Sequence, residues 1–172
     1  GFRDIFMGCG HLLDNAELVE PGAEYKTKNV LLRNTGTGKF VNVSELCGDG
    51  MQGKHSARGV AFDDLDNDGD IDVVIVNSRE PPTILRNIYY ELGGKNHWLQ
   101  IDLRGVKTNR DGVGARVRVI AGDLVEIDEK HSGRGYQSHW GSRLHFGLGP
   151  HYRVDRIEVR WIGGGVDLVE NI

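Results

Sequence analysis

The chain has 172 residues, a net charge of −4, 25 glycines and only 4 prolines, a length that allows one large domain or two small ones and a composition that suits short strands joined by tight turns. No run of 18 apolar residues is present to span a membrane as a helix. Residues 1–94 hold 9 Lys and Arg against 15 Asp and Glu, while residues 95–172 hold 12 against 10, so the acidity is local and no basic stripe supports a nucleic-acid role.

In chain order, the first predicted strands are Ile5–Cys9, Asn29–Arg33 and Lys39–Val43. Between the first two lies an acidic, Pro-Gly-containing insertion, His11–Lys28, and Asn34-Thr35-Gly36-Thr37-Gly38 supplies the turn before the third. Cys9 and Cys47 are the only cysteines; a disulfide in an oxidising compartment and two small buried side chains are both open to them. Strands follow at Arg58–Asp63, Asp72–Asn77 and Thr83–Asn87, with Pro81-Pro82 marking the turn between the last two because proline cannot donate to a central ladder.

The turn between Arg58–Asp63 and Asp72–Asn77 holds six aspartates in ten residues and no cation: Asp63-Asp64-Leu65-Asp66-Asn67-Asp68-Gly69-Asp70-Ile71-Asp72. Carboxylates about 4 Å apart repel by roughly 4 kcal/mol per pair at an effective dielectric near 20. The cluster must splay into water or enclose a cation. Asp64, Asp66, Asp68 and Asp72 fall at loop positions 1, 3, 5 and 9, with Gly69 at position 6 for the sharp bend and Asp70 at position 7, where a backbone carbonyl turns inward. Hard oxygen donors in this number predict a calcium ion (Ca2+) held by Asp64, Asp66, Asp68, Asp70 and Asp72. An EF-hand is excluded, since position 12 is Ile75 and the second flank, Asp72–Asn77, is β-branched and too short for a helix.

The segment Gly69–Val76 is echoed by Gly1–Gly8, and Ile84-Leu85-Arg86-Asn87 by Leu31-Leu32-Arg33-Asn34. In this register Gly1 and Asp4 take positions 6 and 9 of an earlier loop. The expectation is a piece of a longer repeat protein whose first half-loop, left with Asp4 alone, holds no metal. Without the insertion each unit has about four strands, as in a propeller blade. The Asp-x-Asp-x-Asp-Gly-x-x-Asp loop after Arg58-Gly59-Val60-Ala61-Phe62, with the echoed Leu-Arg-Asn, resembles the calcium-binding repeats of integrin α-subunit propellers and their bacterial relatives.

From Asn96 the pattern becomes strict alternation: Leu99, Ile101 and Leu103; Val117 and Val119 against Arg116 and Arg118; Ile157, Val159 and Trp161 against Arg156, Glu158 and Arg160. Such segments are half-buried antiparallel strands, about six or seven of them. Asn96-His97-Trp98-Leu99, Asn109-Arg110-Asp111-Gly112-Val113-Gly114-Ala115, Gly133-Arg134-Gly135-Tyr136-Gln137-Ser138, Leu144-His145-Phe146-Gly147-Leu148-Gly149 and Val154–Trp161, in that order, resemble the ASPIC/UnbV domain. The chain departs from that family at Trp161-Ile162-Gly163-Gly164, where Trp-Pro-Ser-Gly is usual, and at His139, where Gln is usual.

The reading is therefore an all-β chain: residues 1–94 as partial β-propeller-type repeats with a calcium loop, and residues 95–172 as a small antiparallel β-sandwich or partly open barrel. The resemblance implies an extracellular or cell-surface setting (or a periplasmic one) and a non-enzymatic adhesion or binding module with a protein or glycan ligand. The alternative is a carbohydrate-binding accessory region of a larger secreted enzyme. Asn109, Arg110, Asp111 and Tyr136 are the candidate recognition residues, although Asn109 and Asp111 equally suit a turn that bonds its own backbone. Five histidines of the second half, His97, His131, His139, His145 and His151, match no zinc spacing. Ser138 and His139, being neighbours on a strand, point to opposite faces and make no nucleophile–base pair.

Overall fold

The computed structural model describes residues 2–172, so the assignment of Gly1 to a loop position lies outside the described residues. Among the described residues the regular structure is strand, apart from one helical turn and two 3-10 turns. Strands β1 (Ile5–Met7), β3 (Val30–Asn34) and β4 (Phe40–Asn42) form one antiparallel sheet. The insertion between β1 and β3 contains α1 (Ala16–Val19) and β2 (Thr27–Lys28), which pairs with β5 (Lys54–His55). A second three-stranded sheet follows, from β6 (Ala57–Asp63), β7 (Asp72–Asn77) and β8 (Thr83–Leu85).

The sequence echo is reproduced in the pairing register. Ile5, Phe6 and Met7 face Leu32, Leu31 and Val30; their counterparts Val73, Val74 and Ile75 face Leu85, Ile84 and Thr83. Each sheet has three strands rather than the expected four, and among the described residues no sheet closes on itself. After β4 the Asn42 carboxamide oxygen accepts from both the amide (3.0 Å) and the hydroxyl (2.6 Å) of Ser44. That local turn sends the chain into 3-10 turns at Ser44–Leu46 and Asp49–Met51 instead of another extended segment. Cys9 and Cys47 are free thiols whose Sγ atoms donate to the Met7 and Val43 carbonyls.

The second half has six strands: β9 (His97–Ile101), β10 (Arg116–Ala121), β11 (Leu124–Glu129), β12 (Leu144–Gly149), β13 (Arg156–Arg160) and β14 (Val166–Glu170). They make a four-stranded sheet, β11-β10-β13-β14, and a two-stranded sheet, β12-β9. Alternation decides which face is buried. Val117, Val119, Ala121, Ile157 and Val159 point in against Leu144, Phe146 and Leu148, while Arg116 and Arg160 point out. Lys130 is also buried, and its ammonium donates to the carbonyls of Gly141 (2.7 Å) and Ser142. Burial pushes its pKa down. The edge strand β14 is exposed along its whole length.

Aromatic contacts tie the two halves together. The Phe6 and Phe62 rings meet edge-on at 6.0 Å, and Phe62 meets Trp140 at 5.1 Å. Arg3 donates to the Ile127 carbonyl (3.0 Å), and the Val60 amide donates to the Ser138 hydroxyl (3.0 Å). Phe146 is 2 % exposed at the centre of the sandwich. Phe146→Ala should therefore lower unfolding stability by about 3–5 kcal/mol, read as a drop in the urea midpoint without a change in slope.

Candidate metal centre

The aspartate loop is a hairpin turn between β6 and β7, closed by the facing pair Asp63 and Asp72. Two residues take the left-handed conformation that bends it, Asn67 (φ 61°) and Gly69 (φ 94°). Asparagine tolerates this region and glycine is unhindered in it. The bend points amides inward. Asp64 is 1 % exposed; one carboxylate oxygen accepts from the Asp68 amide (3.1 Å) and the other from the Gly69 amide (3.0 Å). Asp72, 2 % exposed, accepts from the Leu65 amide (3.1 Å) and the Asn87 amide (2.8 Å).

Asp64, Asp66 and Asp68 each bring a carboxylate oxygen to one point, all within 4.8 Å of one another. Asp68 uses Oδ1 to accept from the Asp70 amide (2.8 Å), while its Oδ2 is buried and has no hydrogen-bond partner among the described residues. The Asp70 amide bond draws the Asp68 pKa down. Burial and the nearby charges of Asp66, Asp70 and Asp64 together outweigh it and leave the group above its ordinary value. An unpartnered buried oxygen beside two more carboxylates fits a hard cation with oxygen ligands. The other two predicted ligands are placed differently. Asp70 turns its carboxylate to the Tyr90 amide (2.7 Å), and both Asp72 oxygens are committed to amides.

Two arginines offset part of the charge. Arg86, in the segment just after β8, donates to Asp66 (2.8 Å) and lies 3.8 Å from Asp68. Its hydrogen bond holds the Asp66 carboxyl below the usual range. Arg143 comes from the second half and donates to the Asn67 side chain (2.7 Å), the Asp64 carbonyl (3.0 Å) and Asp63 (3.3 Å). From β9, Gln100 donates to Asp64 (2.9 Å), and the Trp98 indole covers Gly69 so closely that a Cβ there would overlap it. His145 stacks on Trp98, ring centres 5.9 Å apart.

Sequence reasoning assigned no site role to Arg86, Trp98, Gln100 or Arg143. The repeat echo singled out the Leu-Arg-Asn of Arg86, and Gln100 stood opposite the core-facing Leu99 and Ile101. Neither signal says what the residue touches. The echo extends to hydrogen bonds: Asp4 accepts from the Asn34 amide (2.7 Å) as Asp72 accepts from that of Asn87, and the Asn34 and Asn87 side chains accept from Gly36 (2.9 Å) and Tyr89 (3.2 Å).

Two family models match separate parts of the chain. Residues 1–75, through the aspartate loop, match the FG-GAP-like repeat, and residues 105–172 match the family described as ASPIC and UnbV. The chain joins FG-GAP-like repeats to an ASPIC/UnbV domain. No curated protein matches it.

In the ASPIC/UnbV domain the Asn109 side chain closes its own turn, accepting from the Val113 amide (2.7 Å) and donating to the Val113 carbonyl (2.9 Å). Arg110 and Asp111 are exposed at its tip. Tyr136 is 62 % exposed on a loop fixed by the Arg134 amide bond to the Ser138 carbonyl (3.0 Å) and by the Ser138 hydroxyl donating to the Tyr136 carbonyl (2.8 Å). His139 accepts from the Gly133 amide (2.9 Å), so Ser138 and His139 are separately engaged. Among the described residues no helix is long and apolar enough to cross a membrane.

Two outcomes follow from this geometry. Gly69→Ala should destabilise the protein by more than about 2 kcal/mol, from left-handed strain and overlap with Trp98, as read by denaturant melts. Burial lowers the His145 pKa from its ordinary 6.5, against the pull of Asp64, Asp63 and Asp70. The unfolded chain then binds this proton more readily, so the contribution is present above the unfolded pKa and lost as pH falls through the lower folded one. Melts at falling pH should show wild type losing stability below about pH 6.5, and His145→Phe losing less.

Proposed function

We propose that the chain is a calcium-stabilised binding or adhesion module of an extracellular or cell-surface protein, with a periplasmic setting for a bacterial source, organised as a repeat unit over residues 1–94 and a binding domain over residues 95–172. The observation that carries the reading is the convergence of Asp64, Asp66 and Asp68 around the unpartnered Asp68 oxygen. These three, with the Asp70 carbonyl and a reoriented Asp72, would hold the ion. Bound there, calcium supplies positive charge that lets the carboxylates sit together. The protein's own part is to bend the loop at Asn67 and Gly69, fix Asp64 through its amides and Gln100, and carry residual charge on Arg86 and Arg143. The hairpin is then a rigid seat for the ASPIC/UnbV domain, whose loops meet a protein or glycan ligand. No residue here is assigned a catalytic role.

A glycan reading is favoured by one observation, the exposed Tyr136 ring on a pinned loop. It predicts saturable quenching of tryptophan fluorescence by a polysaccharide, abolished in Tyr136→Ala. A flat titration, or one unaffected by that substitution, removes Tyr136 from the binding surface.

The calcium reading is tested by melting and limited proteolysis in calcium and in EDTA. Saturation at about 100 times the dissociation constant stabilises a folded protein by roughly 2.7 kcal/mol, a shift of several degrees. Cleavage within residues 63–72 should appear first in EDTA. Identical melting and identical cleavage in the two buffers would remove the structural role of calcium.

A further inference from the structure

The outer face of the four-stranded sheet carries a charge arrangement that the fold does not use. Residues paired across strands share a face, so this face presents Arg116 and Arg118 of β10 beside Arg160 and Glu158 of β13. Glu158 is shared, lying 3.6 Å from Arg118 and 3.5 Å from Arg156, and Arg156 also pairs with Glu170 at 3.1 Å. Arg116 and Arg160 stand directly opposite one another, both exposed. Among the described residues neither guanidinium has an ion pair or a hydrogen bond, and Glu129, which faces Arg116 from β11, forms no ion pair with it. Like charges placed directly across a ladder repel. The two arginines line a depression of about 310 Å³ with Arg118, Glu158 and Ile127.

We propose that this face binds an acidic, aliphatic-containing peptide segment of a protein partner, one carboxylate being clamped between Arg116 and Arg160. Guanidinium groups hold carboxylates through paired, charge-assisted hydrogen bonds, and an anion between the two would turn their repulsion into attraction. The flanking side chains decide the class of ligand. Ile127 (47 % exposed) and Leu168 (58 %) sit in the adjoining row of the same face, offering contact to aliphatic side chains. The paired positions of β10 and β13 on this face hold no aromatic ring on which a sugar would stack. A peptide therefore fits better than an anionic polysaccharide. The inference deepens the binding-module reading by naming a partner chemistry, and it does not depend on the metal.

The test is fluorescence anisotropy of a labelled peptide of alternating Glu and Leu, with calcium present throughout so that loop disorder does not enter. Saturable binding is expected, weakened about tenfold or more in R116Q/R160Q and unchanged in the charge-matched control R104Q/K107Q. Because the pair repels in the free protein, R116Q/R160Q should melt no lower than wild type, which separates lost binding from lost fold. Equal loss in both double variants, absence of saturable binding, or binding of dextran sulfate in preference to the peptide would overturn the proposal. A melting shift with calcium has no bearing on these outcomes, so failure here and failure of the calcium reading remain distinguishable.

Discussion

Six carboxylates in a ten-residue hairpin turn must be reconciled before the strands on either side can pair. At separations near 4 Å each uncompensated pair opposes folding by roughly 4 kcal/mol, and β6 and β7 meet directly at Asp63 and Asp72. The chain divides the problem. Asp64 and Asp72, the two most buried, accept from backbone amides, Asp64 from those of Asp68 and Gly69 at the left-handed bend and Asp72 from those of Leu65 and Asn87. Asp66 leans on Arg86, and Asp63 on Arg143. Asp68 is left with an oxygen that no protein group hydrogen-bonds, Arg86 standing 3.8 Å from it, and that remainder is what fits a hard cation.

The same solution determines how the two units sit together. Arg143, Gln100 and Trp98 all belong to the second half, and all three act on the hairpin turn. The second half thus docks on the loop itself rather than on a neutral part of the repeat. The Phe6–Phe62–Trp140 stack supplies apolar contact alongside these polar ones. Order in the loop and order at the junction are consequently linked. A ligand contacting loops of the second half meets a surface whose foundation includes the aspartates.

Much of the repeat was legible in the sequence because its signals are local. The strand limits at β7 follow from a β-branched run that begins at the aspartate turn, and the echo between Gly69–Val76 and the N-terminus correctly anticipates a shared register. The lack of a fourth strand in the first unit was not legible: the Asn42–Ser44 side-chain bonds that divert the chain depend on side-chain geometry, not on hydrophobic pattern. In the second half, alternation gave the buried face of β10 and β13 but not which strands pair, since period two defines faces and leaves partners open. The residues that complete the candidate site were hidden for a related reason. Arg143 lies 76 residues from Asn67, and only docking brings them together. Of the predicted ligands, Asp64, Asp66 and Asp68 converge as the spacing suggests, whereas Asp70 and Asp72 turn to amides that the spacing does not reveal.

The position of Trp98 over Gly69 makes the loop directly observable. Terbium replaces calcium at oxygen-rich sites and emits when a nearby tryptophan is excited. Titration of the metal-free protein with terbium should give saturable, calcium-displaceable emission, lost in Trp98→Phe and weakened strongly in Asp68→Asn. Emission that never saturates, or that Asp68→Asn leaves unchanged, would contradict a cation centred on the unpartnered Asp68 oxygen.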